Sequence, residues 1–541
     1  MKGKKIFTIV LTSILAFGMV GCSGTTSTYP GTVDKDMITI NVVAEPTNIN
    51  PLRMTDNISQ SILAHCMSGF TRLDENDMPV ADLAESWDIN EDKTEYVMHL
   101  RKDAKWSNGD QVTVKDFYYA WVQQMTESTG ALYASYLYNH IKNGEDFYNG
   151  KVDESKLGLK VIDDYTLKIE WAHPMNNGLF YLSQAFYYPI NQKAYESIGD
   201  ENYAKDADKM VTNGAYTITE WVHDDHLTME KSKDYYDAAN IKIDKVKLAM
   251  IADSNTSFNA FKAGEIDVTN LYSEQIQEVE KADKNVISSY IDGGTWYLDF
   301  NTKDKNLSNA NLRKALTYSV DVQSLLDNVI NDGSVAADGF VPSNIAGADG
   351  KSYTESRGSL YAYDKEKAVQ YFNEALKELG LTEDQLKLTF IQTDSTYNQN
   401  QAAYLQQQWK QNLGLDVTLK TLSSNAAYEA QVNGDYSFTV GAWGASENDA
   451  ISFLENYQTG YMNNFAQFSN KEYDSLIAQC LEESDSQKRQ ELLAKAEKIL
   501  IDNMIVGPMY FTRTTYAVSS KVEGLVRTPF QLFGLRKASI K

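Results

Sequence analysis

The stretch with the most suggestive spacing works through its backbone. In residues 435–454, Tyr436, Phe438 and Val440 alternate with Ser437, Thr439 and Gly441, the period-2 signature of a pleated strand with two unlike faces. The pattern breaks at Ala442-Trp443-Gly444-Ala445, where small residues flank one large aromatic, and polar Ser446, Glu447, Asn448 and Asp449 follow. Small residues let a second backbone come close, and a strand running out into a loop leaves N–H and C=O groups unpaired. That combination suits capture of an extended peptide by main-chain pairing. A core strand ending in an ordinary turn has the same local sequence, so both readings stay open at this level.

Side-chain chemistry has less support. His223 and His226 form the only close histidine pair, in a turn with Asp224 and Asp225, and a metal site needs more convergent ligands. No G-x-S-x-G, H-E-x-x-H or P-loop Gly-Lys-Ser/Thr occurs. Carboxylates are too numerous for one pair to stand out as acid and base. No catalytic residue, metal or cofactor is assigned, and the chain is not expected to be an enzyme. The 34 tyrosines, 20 phenylalanines and 8 tryptophans supply apolar faces with hydrogen-bonding tips, which suits hydrated clefts as well as cores.

The elements that must position these residues read as α/β layers. Strands are expected at 37–43, 83–87, 95–100, 246–251 and 295–301, and helices at 59–70, 256–262, 402–413 and 487–501. Thr113 is expected to cap a helix bearing Phe117, Ala120, Trp121 and Met125, and Ser308 to cap one bearing Leu312, Ala315 and Leu316. Gly380 and Gly414 read as helix stops, the latter leading into a strand at 415–419. No fixed-period repeat or long linker appears.

At 541 residues the chain needs two or three cores. A formal net charge of -24 excludes a basic nucleic-acid-binding face. Lys2, Lys4 and Lys5 precede a mostly apolar run over 6–20 and then Gly21-Cys22, the form of a secretory signal. The cysteine behind a small residue resembles a bacterial lipobox. Residues 1–21 would be removed, Cys22 lipidated, and residues 22–35 would form a flexible tether. Cys66 and Cys480 could pair, but each sits in an apolar helical context that favours two buried thiols.

A family resemblance runs through the chain. Ala81-Asp82-Leu83-Ala84-Glu85-Ser86-Trp87, Lys105-Trp106-Ser107-Asn108-Gly109 and Val112-Thr113-Val114-Lys115-Asp116-Phe117 resemble the signature of the oligopeptide/dipeptide/nickel-binding class of extracellular solute-binding proteins, the receptors of ABC importers. Thr212-Asn213-Gly214-Ala215-Tyr216, Gly264-Glu265-Ile266-Asp267, Asn311-Leu312-Arg313-Lys314-Ala315-Leu316 and Gln411-Asn412-Leu413-Gly414-Leu415 continue the match in order. The oligopeptide binders are the most similar branch. The resemblance implies a two-lobe periplasmic-binding-protein-like α/β fold with mixed sheets and three domains. Domain I would comprise residues 36–70, 201–290 and 508–541, inserted domain II residues 71–200, and domain III, the opposite lobe, residues 291–507.

It also implies the site. Trp443, Gly444, Ala445 and Ser446 match the segment that pairs with peptide backbone, Thr295 and Trp296 its facing strand, and Asn57, Ile58, Ser59 and Gln60 the loop of the other lobe. Tyr133, Tyr136, Asn463 and Tyr510 match further cleft positions. Members commonly carry an aspartate three residues after this tryptophan to hold the peptide α-ammonium group; here the position is Ser446. Glu447 or Asp449 could supply the carboxylate, the peptide N-terminus could protrude or be blocked, or the ligand could be no ordinary free peptide. Where members place a disulfide across this wall, the matching positions are Gly294 and Gly444, so that bridge is absent. The implied function is a monomeric receptor, anchored to the outer face of the membrane through Cys22, that binds oligopeptides and delivers them to ABC permease subunits. Alternatives are a receptor for a signalling peptide, haem or nickel complex, and a surface adhesin or sensor on the same fold.

Overall fold

A computed structural model describes residues 28–34 and 36–541; the expected leader, Cys22 and most of the tether lie outside them. In chain order the main strands are β1 (Met37–Asn41), β2 (Thr71–Leu73), β3 (Pro79–Ala81), β4 (Ala84–Ile89), β5 (Glu95–Leu100), β6 (Leu159–Asp163), β7 (Thr166–Glu170), β8 (Tyr216–Val222) and β9 (His226–Lys231). They continue with β10 (Lys245–Ala249), β11 (Val268–Leu271), β12 (Ile287–Phe300), β13 (Val335–Ala336), β14 (Leu388–Thr393), β15 (Val417–Leu422), β16 (Phe438–Gly444) and β17 (Val506–Val518). One mixed sheet of 11 strands runs β15-β14-β16-β12-β17-β11-β1-β10-β9-β8, with β13 on β17. A separate antiparallel sheet, β4-β5-β7-β6, and the β2–β3 hairpin belong to the segment between β1 and β8.

Apolar side chains gather into two large cores, and these define two lobes. One is built from residues between Ile38 and Val268 and again from Tyr516 to Ala538, and the other from residues between Tyr297 and Tyr510. A smaller cluster around Phe258, Phe261 and Ala517 lies beside the first. The chain therefore passes between lobes twice, through β12 and β17. These are its longest strands, at 14 and 13 residues, and they pair antiparallel with each other. Within the first lobe, Phe70 stacks on Phe117 at 3.8 Å, and Trp121 Nε1 donates to the Tyr187 carbonyl at 2.9 Å. Those contacts hold the helix Val114–Gln124 against the segments at Phe70 and Tyr187. Among the described residues no helix is long and apolar enough to cross a membrane.

Local signals set most helix starts. The helix Val114–Gln124 opens with a capping box in which Thr113 N–H donates to Asp116 Oδ2 at 2.8 Å. Helix α1 spans Asn57–Cys66, earlier and shorter than the expected 59–70, because the Asp56 carboxylate caps it by accepting from Ser59 N at 2.8 Å. The helix expected from Ser308 is capped instead by Asn309, whose Oδ1 accepts from Leu312 N at 3.0 Å. The helix expected at 402–413 starts at Thr396 behind Ser395. Cys66 and Cys480 are both free and buried.

Candidate peptide-binding site

β16 is the element around which the site forms. On one side it pairs antiparallel with β12, from Phe300–Phe438 to Gly294–Gly444. On the other it pairs in parallel with β14 only at Phe390–Phe438 and Ile391–Thr439. Beyond Thr439 that second edge has no strand. Ala445 N–H donates to the Gly293 carbonyl at 3.0 Å, so its donor is spent on β12. Alternation then turns the backbone groups of Ala442 and Gly444 to the open edge. Exposure follows the same period: Ala442, Gly444 and Ser446 are exposed, and Trp443 and Ala445 half-buried.

The glycines along this strand differ in what they permit. A Cβ on Gly441 would lie 2.8 Å from the Tyr297 ring, and one on Gly294 would collide with Thr512 Oγ1. Gly444 has nothing within 4 Å of a Cβ and no left-handed φ. Neither packing nor backbone strain requires a glycine there, and the open space beside it leaves room for another chain to come close.

The aromatic residues divide between two faces. In the β12–β16 register Trp443 stands opposite Thr295, and Trp296 opposite Ala442, so the two tryptophans point to opposite sides of the sheet. Trp443 packs on the second core and its Nε1 donates to the Ser452 carbonyl at 2.8 Å. Thr295 is fully buried, with Oγ1 donating to the Phe340 carbonyl at 2.8 Å. Trp296 stacks on Tyr510 at 5.7 Å and meets Tyr397 edge-on at 5.4 Å. Tyr510 is itself fully buried, its hydroxyl 2.9 Å from Tyr397 Oη and accepting from Gln401 Nε2 at 2.7 Å. It supports Trp296 from behind and presents no surface of its own. Asn463 is half-buried, donating to Asn456 Oδ1 at 3.1 Å.

From the first lobe, α1 brings exposed Asn57 and half-buried Ile58 to its N-terminus, whereas Ser59 is fully buried as part of the Asp56 cap. Gln60 Nε2 donates to Gln184 Oε1 at 2.7 Å. Tyr133 Oη donates to the Thr55 carbonyl at 3.2 Å, and its ring meets Tyr136 edge-on at 5.5 Å. Of these residues, Tyr136 lies within electrostatic reach of Glu447 in the loop that follows β16.

That loop joins the lobes. Asn177 Nδ2 donates to Glu447 Oε2 at 3.2 Å, and Asn448 Nδ2 to the Asp77 carbonyl at 3.4 Å. Asn176 Nδ2 donates to the Glu483 carbonyl at 2.8 Å, and Lys93 Nζ to Ser486 Oγ at 3.1 Å. Beside these contacts lies a cavity of about 340 Å³ lined from both lobes, by Lys93, Asn177, Phe180, Asn448, Asp449 and Arg489 among others.

The two carboxylates weighed for the α-ammonium group differ in partners. Asp449 Oδ2 lies 2.6 Å from Arg489 Nη1, and its Oδ1 accepts from Ile451 N at 2.9 Å. Glu447 is buried, hydrogen-bonded to the Asn177 amide and the Tyr181 hydroxyl, and has no ion pair among the described residues. Burial pushes its carboxyl up to about 8, Asp449 and Glu455 add to the rise, and Asn177 and Arg489 oppose it. Burial and the Glu447 charge together raise the Tyr181 hydroxyl, and Glu447 also reaches Tyr136 and Tyr187. Asn177, Tyr181 and Arg489 have no local sequence signal; Ala442 could have been read from the strand's alternation.

Residues 78–465 match the model of bacterial extracellular solute-binding proteins, family 5. The chain belongs to that family. It is 32% identical over 545 residues to the dipeptide-binding protein DppE of Bacillus subtilis, covering 99% of each chain. With the oligopeptide-binding protein OppA of the same organism it is 33% identical over 538 residues, 96% of each. Among solved structures, Listeria monocytogenes OppA bound to peptide superposes with a TM-score of 0.71 at 29% identity, over 94% of this chain and 99% of that one. The murein tripeptide-binding protein MppA in its unliganded open form gives 0.82 at 24% identity, over 94% and 98%, a likeness of fold. The protein thus has the two-lobe fold of this solute-binding family.

Proposed function

We propose that this protein is a membrane-anchored receptor that binds oligopeptides, extended between its lobes, and hands them to an ABC permease. The observation that carries this reading is the open edge of β16, where Ala442 and Gly444 offer N–H and C=O groups that no strand among the described residues takes up. Main-chain pairing there is indifferent to sequence, each hydrogen bond contributing about 1 kcal/mol. The neighbouring aromatics Trp296, Tyr133 and Tyr136 serve as pocket walls. The names of the relatives, dipeptide- and oligopeptide-binding proteins, support the same ligand class.

Glu447 holds the ligand's α-ammonium group in place of the aspartate that Ser446 replaces. Asp449 is committed to Arg489, whereas Glu447 is buried, lacks a cation and is reached from both lobes. An ammonium group arriving there supplies a charge partner for that carboxylate. Cys22, lipidated after removal of residues 1–21, tethers the receptor, and closure of the lobes presents the loaded form to the permease.

Native mass spectrometry of the purified protein, followed by calorimetry with the ligands found and with a mixed pool of short free-amine peptides, tests the reading. Peptide binding at 1:1 is expected. A protein that carries no peptide and binds none from the pool would overturn it.

A further inference from the structure

The first lobe contains a second cavity, also about 340 Å³, a size within the usual range of small-molecule sites. It lies where the outer turn of α1, β2 and the C-terminal hairpin of Val526–Thr528 and Gln531–Gly534 meet. None of Thr295, Trp296 or residues 443–447 lines it; of the residues assigned to peptide binding it shares only Gln60.

Part of its wall is aromatic. Phe533, almost fully buried, stacks on His65 at 4.9 Å, and Tyr188 and Tyr235 close other sides. Burial pushes His65 down to about 4; one ring nitrogen lies 2.7 Å from the Ser61 carbonyl, and Nε2 accepts from Leu535 N at 3.3 Å. The imidazole is therefore neutral at ordinary pH and adds no charge to the wall.

The charged groups around the cavity are nearly all engaged. Asp82 Oδ1 accepts from Tyr236 Oη at 2.5 Å and from Tyr235 Oη at 3.4 Å. Asp74 Oδ1 accepts from the backbone N–H of Asn76 at 2.8 Å and of Met78 at 3.0 Å. Glu75 pairs with Lys537, and Arg536 with Asp237. Arg72, on β2, is the exception. Its Nε is buried without a hydrogen-bond partner, and no ion pair to it exists among the described residues. Glu75, already holding Lys537, feels Arg72 only as the weakest of its influences.

The Arg72 side chain is half-buried, lines the cavity and has no ion pair among the described residues, and its planar fork matches a carboxylate in shape and charge. We propose that this cavity is a second ligand site, in which Arg72 receives the carboxylate of a small, partly apolar acid whose apolar end lies against Phe533 and Tyr235. The site is independent of the peptide reading, because the β16 edge contributes nothing to it.

Isothermal titration of the full chain with 3-phenylpropionate and with neutral 3-phenylpropionamide tests the proposal. The acid is expected to bind, and the amide to bind at least about tenfold more weakly, the loss of one charge-assisted hydrogen bond. Arg72→Gln should reduce the acid to the level of the amide. Ala64→Phe, which fills the cavity from an exposed position on α1 with Arg72 intact, should abolish binding. Gly444→Val, at the peptide edge, should leave the acid's affinity unchanged. No binding of the acid, equal binding of acid and amide, or loss of the acid in Gly444→Val would overturn the proposal. If Arg72→Gln fails to fold, Ala64→Phe decides: retained affinity there places the acid elsewhere.

Discussion

Asp449 and Glu447 lie two residues apart in one loop, yet only Asp449 is held by a cation, with Arg489 Nη1 2.6 Å from its carboxylate. Their substitutions should therefore separate. Asp449→Asn strands a mostly buried arginine and is expected to cost about 3 kcal/mol of stability, read as a lowered denaturant midpoint. Glu447→Gln should leave that midpoint unchanged or higher and weaken free-amine peptides more than their N-acetylated forms. Equal effects of Glu447→Gln on both ligand types would remove Glu447 from the ammonium site.

The Glu447 carboxyl also predicts a pH dependence. Burial raises it to about 8, whereas in the unfolded chain a glutamate titrates near ~4.3. Between those values the folded state binds more protons, so stability falls as pH rises from about 5 to 8. Thermal unfolding of ligand-free protein across that range should show the decline, and Glu447→Gln should make it shallower. An unchanged slope in the variant would assign the decline to other groups.

Gly444 and Gly441 share a strand but not a purpose. Gly444→Val meets open space and suits a strand, so stability should change by less than about 1 kcal/mol. Peptide affinity should fall at least about tenfold, because the side chain stands where a second backbone must approach. Gly441→Ala presses on the Tyr297 ring and should destabilise by about 1–3 kcal/mol. Calorimetry and denaturant unfolding on the pair give the two readouts.

Trp443→Ala is expected to do two things at once. The indole is half-buried against the second core and donates to the Ser452 carbonyl, so its removal should cost roughly 3 kcal/mol as well as weaken peptide binding. Trp296→Ala, on the other face of the sheet, is the cleaner probe of an aromatic wall. If affinity is unaffected by Trp296→Ala, that wall lies elsewhere.

Cys22→Ala should move the protein from the membrane fraction to the medium or extract, read by fractionation and immunoblot. Retention of the variant in the membrane would rule out the lipid anchor as the main attachment.

Local sequence carried the strand at β16, which it broke at Ala442 although pairing extends it to Gly444, and the Thr113 cap, because alternation, caps and stops act over a few residues. It placed the helix near residue 308 one residue early, because Asn309 rather than Ser308 turns its side chain to the first turn. What it could not carry is register. Trp296 and Trp443 both read as aromatics on strands, and only the pairing of Gly294 with Gly444 puts them on opposite faces. Tyr510 reads as a cleft tyrosine, yet it is buried behind Trp296 by contacts with Tyr397 and Gln401, each more than 100 residues away. Asp449 finds Arg489 across 40 residues, and Glu447 meets Asn177 across 270. Such partners depend on tertiary packing, which no window of sequence contains.

The two crossings between cores are not separate threads, because β12 and β17 are hydrogen-bonded to each other where they leave one lobe for the other. Their ladder slips between Ile291 and Thr295 and again between Trp296 and Tyr297. A change in the angle between lobes must be taken up where the ribbon is already irregular, within a few residues of Gly293 and Gly294. Those same residues pair with the end of β16. The irregular part of the ribbon and the edge that would receive a ligand are thus adjoining parts of one ladder, so bending at the first would shift the second without any intervening relay.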